Sequence, residues 1–121
     1  MRRVNKLNKI LLHVEGFTIL VVSLYFYGYS QLSWLLFVIL LFTPDISMIG
    51  YLLNNRIGAI FYNTFHTYSL SIVVVMLGLG LSNQTLLAIG LILSAHIGMD
   101  RMVGFGLKYP TDFKDTHLNR V

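Results

Sequence analysis

Thr85-Leu86-Leu87-Ala88-Ile89-Gly90-Leu91-Ile92-Leu93-Ser94-Ala95-His96-Ile97-Gly98-Met99-Asp100-Arg101 is the stretch that decides the fold. Continued to Leu107, it is long enough to cross a hydrocarbon layer of about 30 Å as a helix. His96 and Asp100 interrupt it, ahead of Arg101 near its end. An ionisable group at bilayer depth costs about 2.5–3.5 kcal/mol, so such residues face inward and carry function. Their four-residue spacing puts both on one helix face, one turn apart.

Three more apolar runs precede this one. Spans are expected at 6–27, 32–53 and 57–81, then 85–107, with a polar tail over 108–121. The chain has 121 residues, 55% hydrophobic and 12% charged, with a mean hydropathy of +0.69. Soluble domains carry about 25% charged residues, so the composition indicates one integral membrane domain. Short turns at 28–31, 54–56 and 82–84 favour antiparallel neighbours, giving an all-α, four-helix, up-down bundle. Pro44 is expected to kink the second span. The basic start and following apolar run are read as a retained first span rather than a removed leader, because no small-residue cleavage pattern follows. Cysteine is absent, which excludes thiolate chemistry.

All nine basic residues fall on one side of the expected spans: Arg2, Arg3, Lys6 and Lys9, then Arg56, then Arg101, Lys108, Lys114 and Arg120. The positive-inside rule puts both termini in the cytoplasm. The net charge of +4 is therefore orientation charge and not a nucleic-acid surface. Trp34, Tyr25, Tyr27 and Tyr29 read as interfacial anchors at the outer end, and His117 as a solvated tail residue.

Glu15, Asp45 and His66 add to His96 and Asp100. At about 1.5 Å per residue, Glu15 lies about 9 Å in from Lys9, and Asp45 and His66 about 15–16 Å from Arg56. Asp100 and His96 lie about 12 and 18 Å from Lys108. All five fall in the cytoplasmic half of the layer. Three uncompensated carboxylates would cost about 8–10 kcal/mol, so a metal ion, shared protons or ion pairs must offset them. Two imidazoles and three carboxylates suit a divalent transition metal such as zinc, manganese or iron. Simpler roles compete with this one. Glu15 has basic neighbours, Asp45 follows Thr43-Pro44 like an N-cap, His66 fits a packing histidine, and Asp100 has Arg101 beside it.

The stretches Thr43-Pro44-Asp45-Ile46-Ser47-Met48-Ile49-Gly50-Tyr51, Tyr62-Asn63-Thr64-Phe65-His66-Thr67-Tyr68 and Ala95-His96-Ile97-Gly98-Met99-Asp100-Arg101 resemble a family of small bacterial four-span membrane proteins catalogued as a domain of unknown function. The likeness extends through Gly104-Phe105-Gly106-Leu107-Lys108-Tyr109-Pro110 and Thr116-His117-Leu118. A looser pattern, His66-Thr67, His96, Asp100, Gly104 and Pro110, is similar to inner-membrane metal-dependent hydrolases. It departs where those proteins carry further acids and histidines around the first helices; Glu15 and Asp45 would stand in. The resemblance implies a multi-pass protein of the bacterial inner (cytoplasmic) membrane.

The expected function is a metal-dependent membrane hydrolase opening to the cytoplasm and acting on a lipid-like or amphipathic substrate. His66, His96 and Asp100 are the preferred ligands, Asp45 a ligand or orienter, and Glu15 the general base. Asn63, Arg101 and Lys108 are expected at the substrate. The partners expected are membrane lipids and a second copy in a homodimer. The alternatives are a proton or divalent-cation transporter or channel built as a homo-oligomer, and a structural or regulatory membrane partner.

Overall fold

A computed structural model of the chain describes residues 2–121, and every regular element among them is helical. Helix α1 covers Arg2–Tyr29 and α2 covers Trp34–Leu40. A 3-10 segment follows over Thr43–Leu52. Then come α3 (Asn55–Phe65), α4 (Tyr68–Gly80), α5 (Gln84–Val103) and the single-turn α6 (His117–Arg120). Four helical stretches are long and apolar enough to cross a membrane: Arg3–Tyr29, Trp34–Leu52, Asn55–Gly80 and Gln84–Val103. The chain is a multi-pass membrane protein built as an all-α bundle.

The helix starts follow from local chemistry. Ser33, Asn54 and Asn83 are N-caps whose side chains accept from Leu36, Ile57 and Leu86 N–H at 3.3, 2.8 and 3.1 Å. At the far end of α5, Gly104 takes the left-handed conformation (φ 107). Its N–H and that of Phe105 both return to the Asp100 carbonyl, at 3.0 and 2.7 Å.

Span four is the core. In its apolar window 72% of residues are buried, against 17–22% in the other three, so α5 is the helix the others surround. It packs against α1 and α4, while α3 lies along the 3-10 segment. Gly98 makes the first contact possible: a Cβ there would lie 2.7 Å from both the Gly16 carbonyl oxygen and the Leu20 nitrogen. Small residues allow such backbone approach where lipid supplies little hydrophobic drive. Toward the end of the bundle that carries the 30–33 and 81–83 turns, Tyr27, Phe37, Leu87, Leu91 and Ile92 form an apolar cluster.

The third span stands over Asn55–Gly80 and is broken at His66–Thr67, between α3 and α4. Two expectations are corrected. Tyr27 is fully buried rather than interfacial, its ring against Trp34 and Phe37 and its hydroxyl on the Ser33 carbonyl. The tail does not hang in solvent. Leu118 is fully buried, Lys108 and Thr116 pair as an antiparallel bridge, and His117 is half-buried, accepting the Leu107 N–H on Nδ1 at 2.7 Å.

Candidate metal centre

Each side chain of the site is delivered by a local departure from helix geometry or by the core helix itself. Pro44 has no N–H to give Leu40, whose carbonyl instead accepts from the Thr43 hydroxyl at 2.7 Å. The Asp45 N–H bonds Phe42 at 3.1 Å in the 3-10 pattern. The Leu41 carbonyl is thereby released from the helical ladder, and Nδ1 of His96 is buried with no hydrogen-bond partner. The same shift turns Asp45 inward.

The break after α3 works differently. His66 N–H leaves Tyr62 and bonds Asn63 at 3.2 Å. The His66 ring takes over the vacated acceptor, with Nδ1 donating to the Tyr62 carbonyl at 2.8 Å. The Tyr62 ring stacks on the imidazole at 3.7 Å, nearly parallel. Arg101 closes the break by donating to the His66 carbonyl at 2.8 Å. Non-helical backbone at membrane depth is tolerated only when its polar groups are satisfied in this way.

Four side chains then converge. His66 Nε2 and His96 Nε2 are 3.2 Å apart. Asp45 Oδ1 lies 3.2 Å from each of them. Asp100 Oδ2 lies 3.5 Å from His66 and 3.2 Å from His96. All four ligand atoms fall within 4.8 Å of one another. Ligands about 2.0–2.1 Å from a tetrahedral zinc are about 3.3–3.4 Å apart, close to five of the six separations here. Because Nδ1 of His66 must donate to a carbonyl, the neutral ring offers a lone pair at Nε2. That lone pair points at carboxylate oxygens and another imidazole nitrogen, so only a proton or a cation can reconcile them. Two imidazoles and two carboxylates could hold zinc, manganese or iron.

Exposure separates the four. The side chains of His66, His96 and Asp100 are 0%, 1% and 11% exposed, whereas Asp45 is 34% exposed. Asp45 is therefore the open side. An apolar hollow of about 450 Å³ is lined in part by Thr43, Pro44 and Phe65, chain neighbours of Asp45 and His66, while the quartet itself does not line it.

Of the residues read from the sequence, the structure gathers Asp45, His66, His96 and Asp100 and leaves Glu15 out. Glu15 is exposed on α1 and lines a separate hollow with Tyr68, Arg101 and His117. The residues expected at the substrate are engaged by the chain itself. Asn63 pairs with the Lys108 backbone in both directions, at 2.8 and 2.7 Å. The Lys108 ammonium donates to Phe113 at 2.7 Å and lies 4.6 Å above the Tyr62 ring. Burial holds that ammonium below the usual lysine range, while Asp100, Asp112 and Asp45 pull the other way. Arg101 is buried and commits N–H groups to Phe105 and His66. Tyr62, which orients the His66 imidazole through its carbonyl and its ring, went unassigned in the sequence.

The chain belongs to the family described as a domain of unknown function (DUF4260), whose family model matches residues 9–121. No curated protein and no solved structure matches it.

Proposed function

We propose that this chain is a metal-dependent membrane hydrolase acting at the cytoplasmic side of a bacterial inner membrane. The observation that carries the reading is the quartet: four ligand atoms from three separate segments, at separations suited to one divalent ion. A bound zinc, manganese or iron would lower the pKa of a water toward neutrality and polarise an acyl or phosphoryl oxygen. His66, His96 and Asp100 would hold the ion from the buried side. Asp45, the most exposed of the four, would act as the base toward the attacking water instead of as a fourth ligand, the role expected of Glu15. The apolar hollow along Thr43, Pro44 and Phe65 would admit the tail of an amphipathic substrate.

A second reading has its own support. Four protein ligands close a tetrahedral ion, which is the pattern of a structural site rather than a catalytic one. The ion would then only staple the break in span three to the kink in span two. Transport is less well supported, since the cluster on the outer side of the quartet is apolar.

Elemental analysis of detergent-purified protein tests the shared premise. One equivalent of metal in the wild type and none in His66→Ala and His96→Ala is expected. Hydrolysis of bis-p-nitrophenyl phosphate or a p-nitrophenyl acyl ester, abolished in Asp45→Asn while metal stays bound, supports the enzyme. Retained metal with no hydrolysis of either probe by the wild type supports the staple, and metal-free wild-type protein overturns both.

A further inference from the structure

A second polar site lies outside the quartet, where α1, the start of α4 and the end of α5 enclose a hollow of about 300 Å³. Its polar lining is Glu15, Thr67, Tyr68, Ser69, Arg101 and His117. The volume is at the lower end of small-molecule sites. Glu15 is exposed and, among the described residues, enters none of the ion pairs, which join Asp45 and Asp100 to the histidines and Asp115 to Arg120. A carboxylate in a membrane-spanning segment without a counter-charge is costly, so it calls for a cationic partner.

The opposite wall is built for an anion. Arg101 is 5% exposed and uses one N–H on Phe105 and one on His66, leaving others of its five free. The Tyr68 hydroxyl is buried with no hydrogen-bond partner, and the guanidinium carbon lies 5.8 Å over its ring. The N-cap of α4, Thr67, makes no side-chain bond to the first turn, so the positive end of that helix also faces this wall. His117 accepts the Leu107 N–H on Nδ1, so its neutral ring carries the proton on Nε2 as a further donor.

Glu15 and Arg101 line the same hollow yet do not reach each other. One negative and one positive side chain therefore line a single hollow without pairing. Glu15 lies about 9 Å along α1 from Lys9, and Arg101 is in the last turn of α5, so both sit toward the basic end of the bundle. We propose that this hollow binds a zwitterionic phospho-ammonium group, its ammonium on Glu15 and its phosphate on Arg101 and the Tyr68 hydroxyl. A phospholipid headgroup of the ethanolamine kind and free phosphoethanolamine share that chemistry. The site stands whether or not the quartet holds a metal.

Isothermal titration of the purified chain in detergent with dihexanoyl phosphatidylethanolamine, dihexanoyl phosphatidylglycerol and free phosphoethanolamine tests the site. The wild type should bind the ethanolamine lipid about tenfold more tightly than the glycerol lipid, the size of one charge-assisted bond. Glu15→Gln should erase that preference and leave glycerol-lipid binding unchanged, while Tyr68→Phe should weaken both. Free phosphoethanolamine binding as well as the lipid assigns the site to a soluble zwitterion. Failure of the free compound alone assigns it to a membrane headgroup, and either result supports the shared chemistry. Equal affinity for the two lipids, or a preference that survives Glu15→Gln, overturns it.

Discussion

The Nε2 atoms of His66 and His96 lie 3.2 Å apart although thirty residues separate them in the chain. Neither ring is free to turn away. His66 is held through Nδ1 by the Tyr62 carbonyl and through its face by the Tyr62 ring. His96 is fully buried on the core helix with Asp100 one turn further on. Both therefore present Nε2 to the same point, and a cation there relieves the opposition of lone pairs. That relationship makes the ligand variants informative.

Replacing His66 or His96 by Ala removes one corner of the quartet and should abolish stoichiometric metal, read by elemental analysis. Asp45→Asn keeps a neutral oxygen ligand at the most exposed corner, so metal should remain at lower affinity. Losing a residue that merely orients a ligand typically costs about 10–100-fold in affinity, and the loss here should be at least that large.

The contact of α1 with α5 predicts a contrast between two glycines. Gly98→Val would drive a side chain into the Gly16 carbonyl, at 2.7 Å from its Cβ, and should cost about 1–3 kcal/mol by overpacking. Gly80→Ala meets nothing within 4 Å and should stay within about 0.5 kcal/mol of wild type. Thermal unfolding in detergent separates the two, and equal midpoints would contradict this packing.

The reciprocal amide pair of Asn63 with the Lys108 backbone ties the tail to α3. Asn63→Ala strands one donor and one acceptor, at a cost of about 1–3 kcal/mol. Trypsin should then cut faster at Lys108 and Lys114, with the cutting rate at Arg56 unchanged.

The docked tail should also respond to acid. Burial, with Arg101 nearby, pushes the His117 imidazole below its ordinary value of 6.5, against the pull of the Leu107 bond. The fold thus favours the neutral ring. Its contribution is fully present above about pH 6.5 and is lost as pH falls through the depressed native value. Protonation of Nδ1 removes the acceptor for the Leu107 N–H. Protease sensitivity of the tail should rise on acidification, and His117→Asn should flatten that dependence.

Sidedness is testable because the chain has no cysteine. Gln84→Cys and Lys114→Cys each introduce one thiol at an exposed position. An impermeant maleimide on intact cells should label the first and spare the second.

Much of the fold is legible in the sequence, because a bilayer punishes unsatisfied backbone so heavily that long apolar runs can only be spans. The four spans, their short turns and the residues Asp45, His66, His96 and Asp100 were all readable from hydropathy and from polar groups placed where they are costly. The break at His66–Thr67 was not, because neither glycine nor proline marks it. It exists because the imidazole replaces the backbone donor and Arg101, from another helix, caps the freed carbonyl.

By itself, the sequence determined that this is a multi-pass helical chain with basic residues on one side and ionisable groups at a shared depth. Depth follows from counting residues along a helix of fixed rise. Only the tertiary structure decided which of those groups meet. Rotation about each helix axis is set by packing, through the Gly16–Gly98 contact, the Pro44 distortion and the Tyr62 stack. Those rotations put Glu15 at a different hollow from the four residues whose depth it shares.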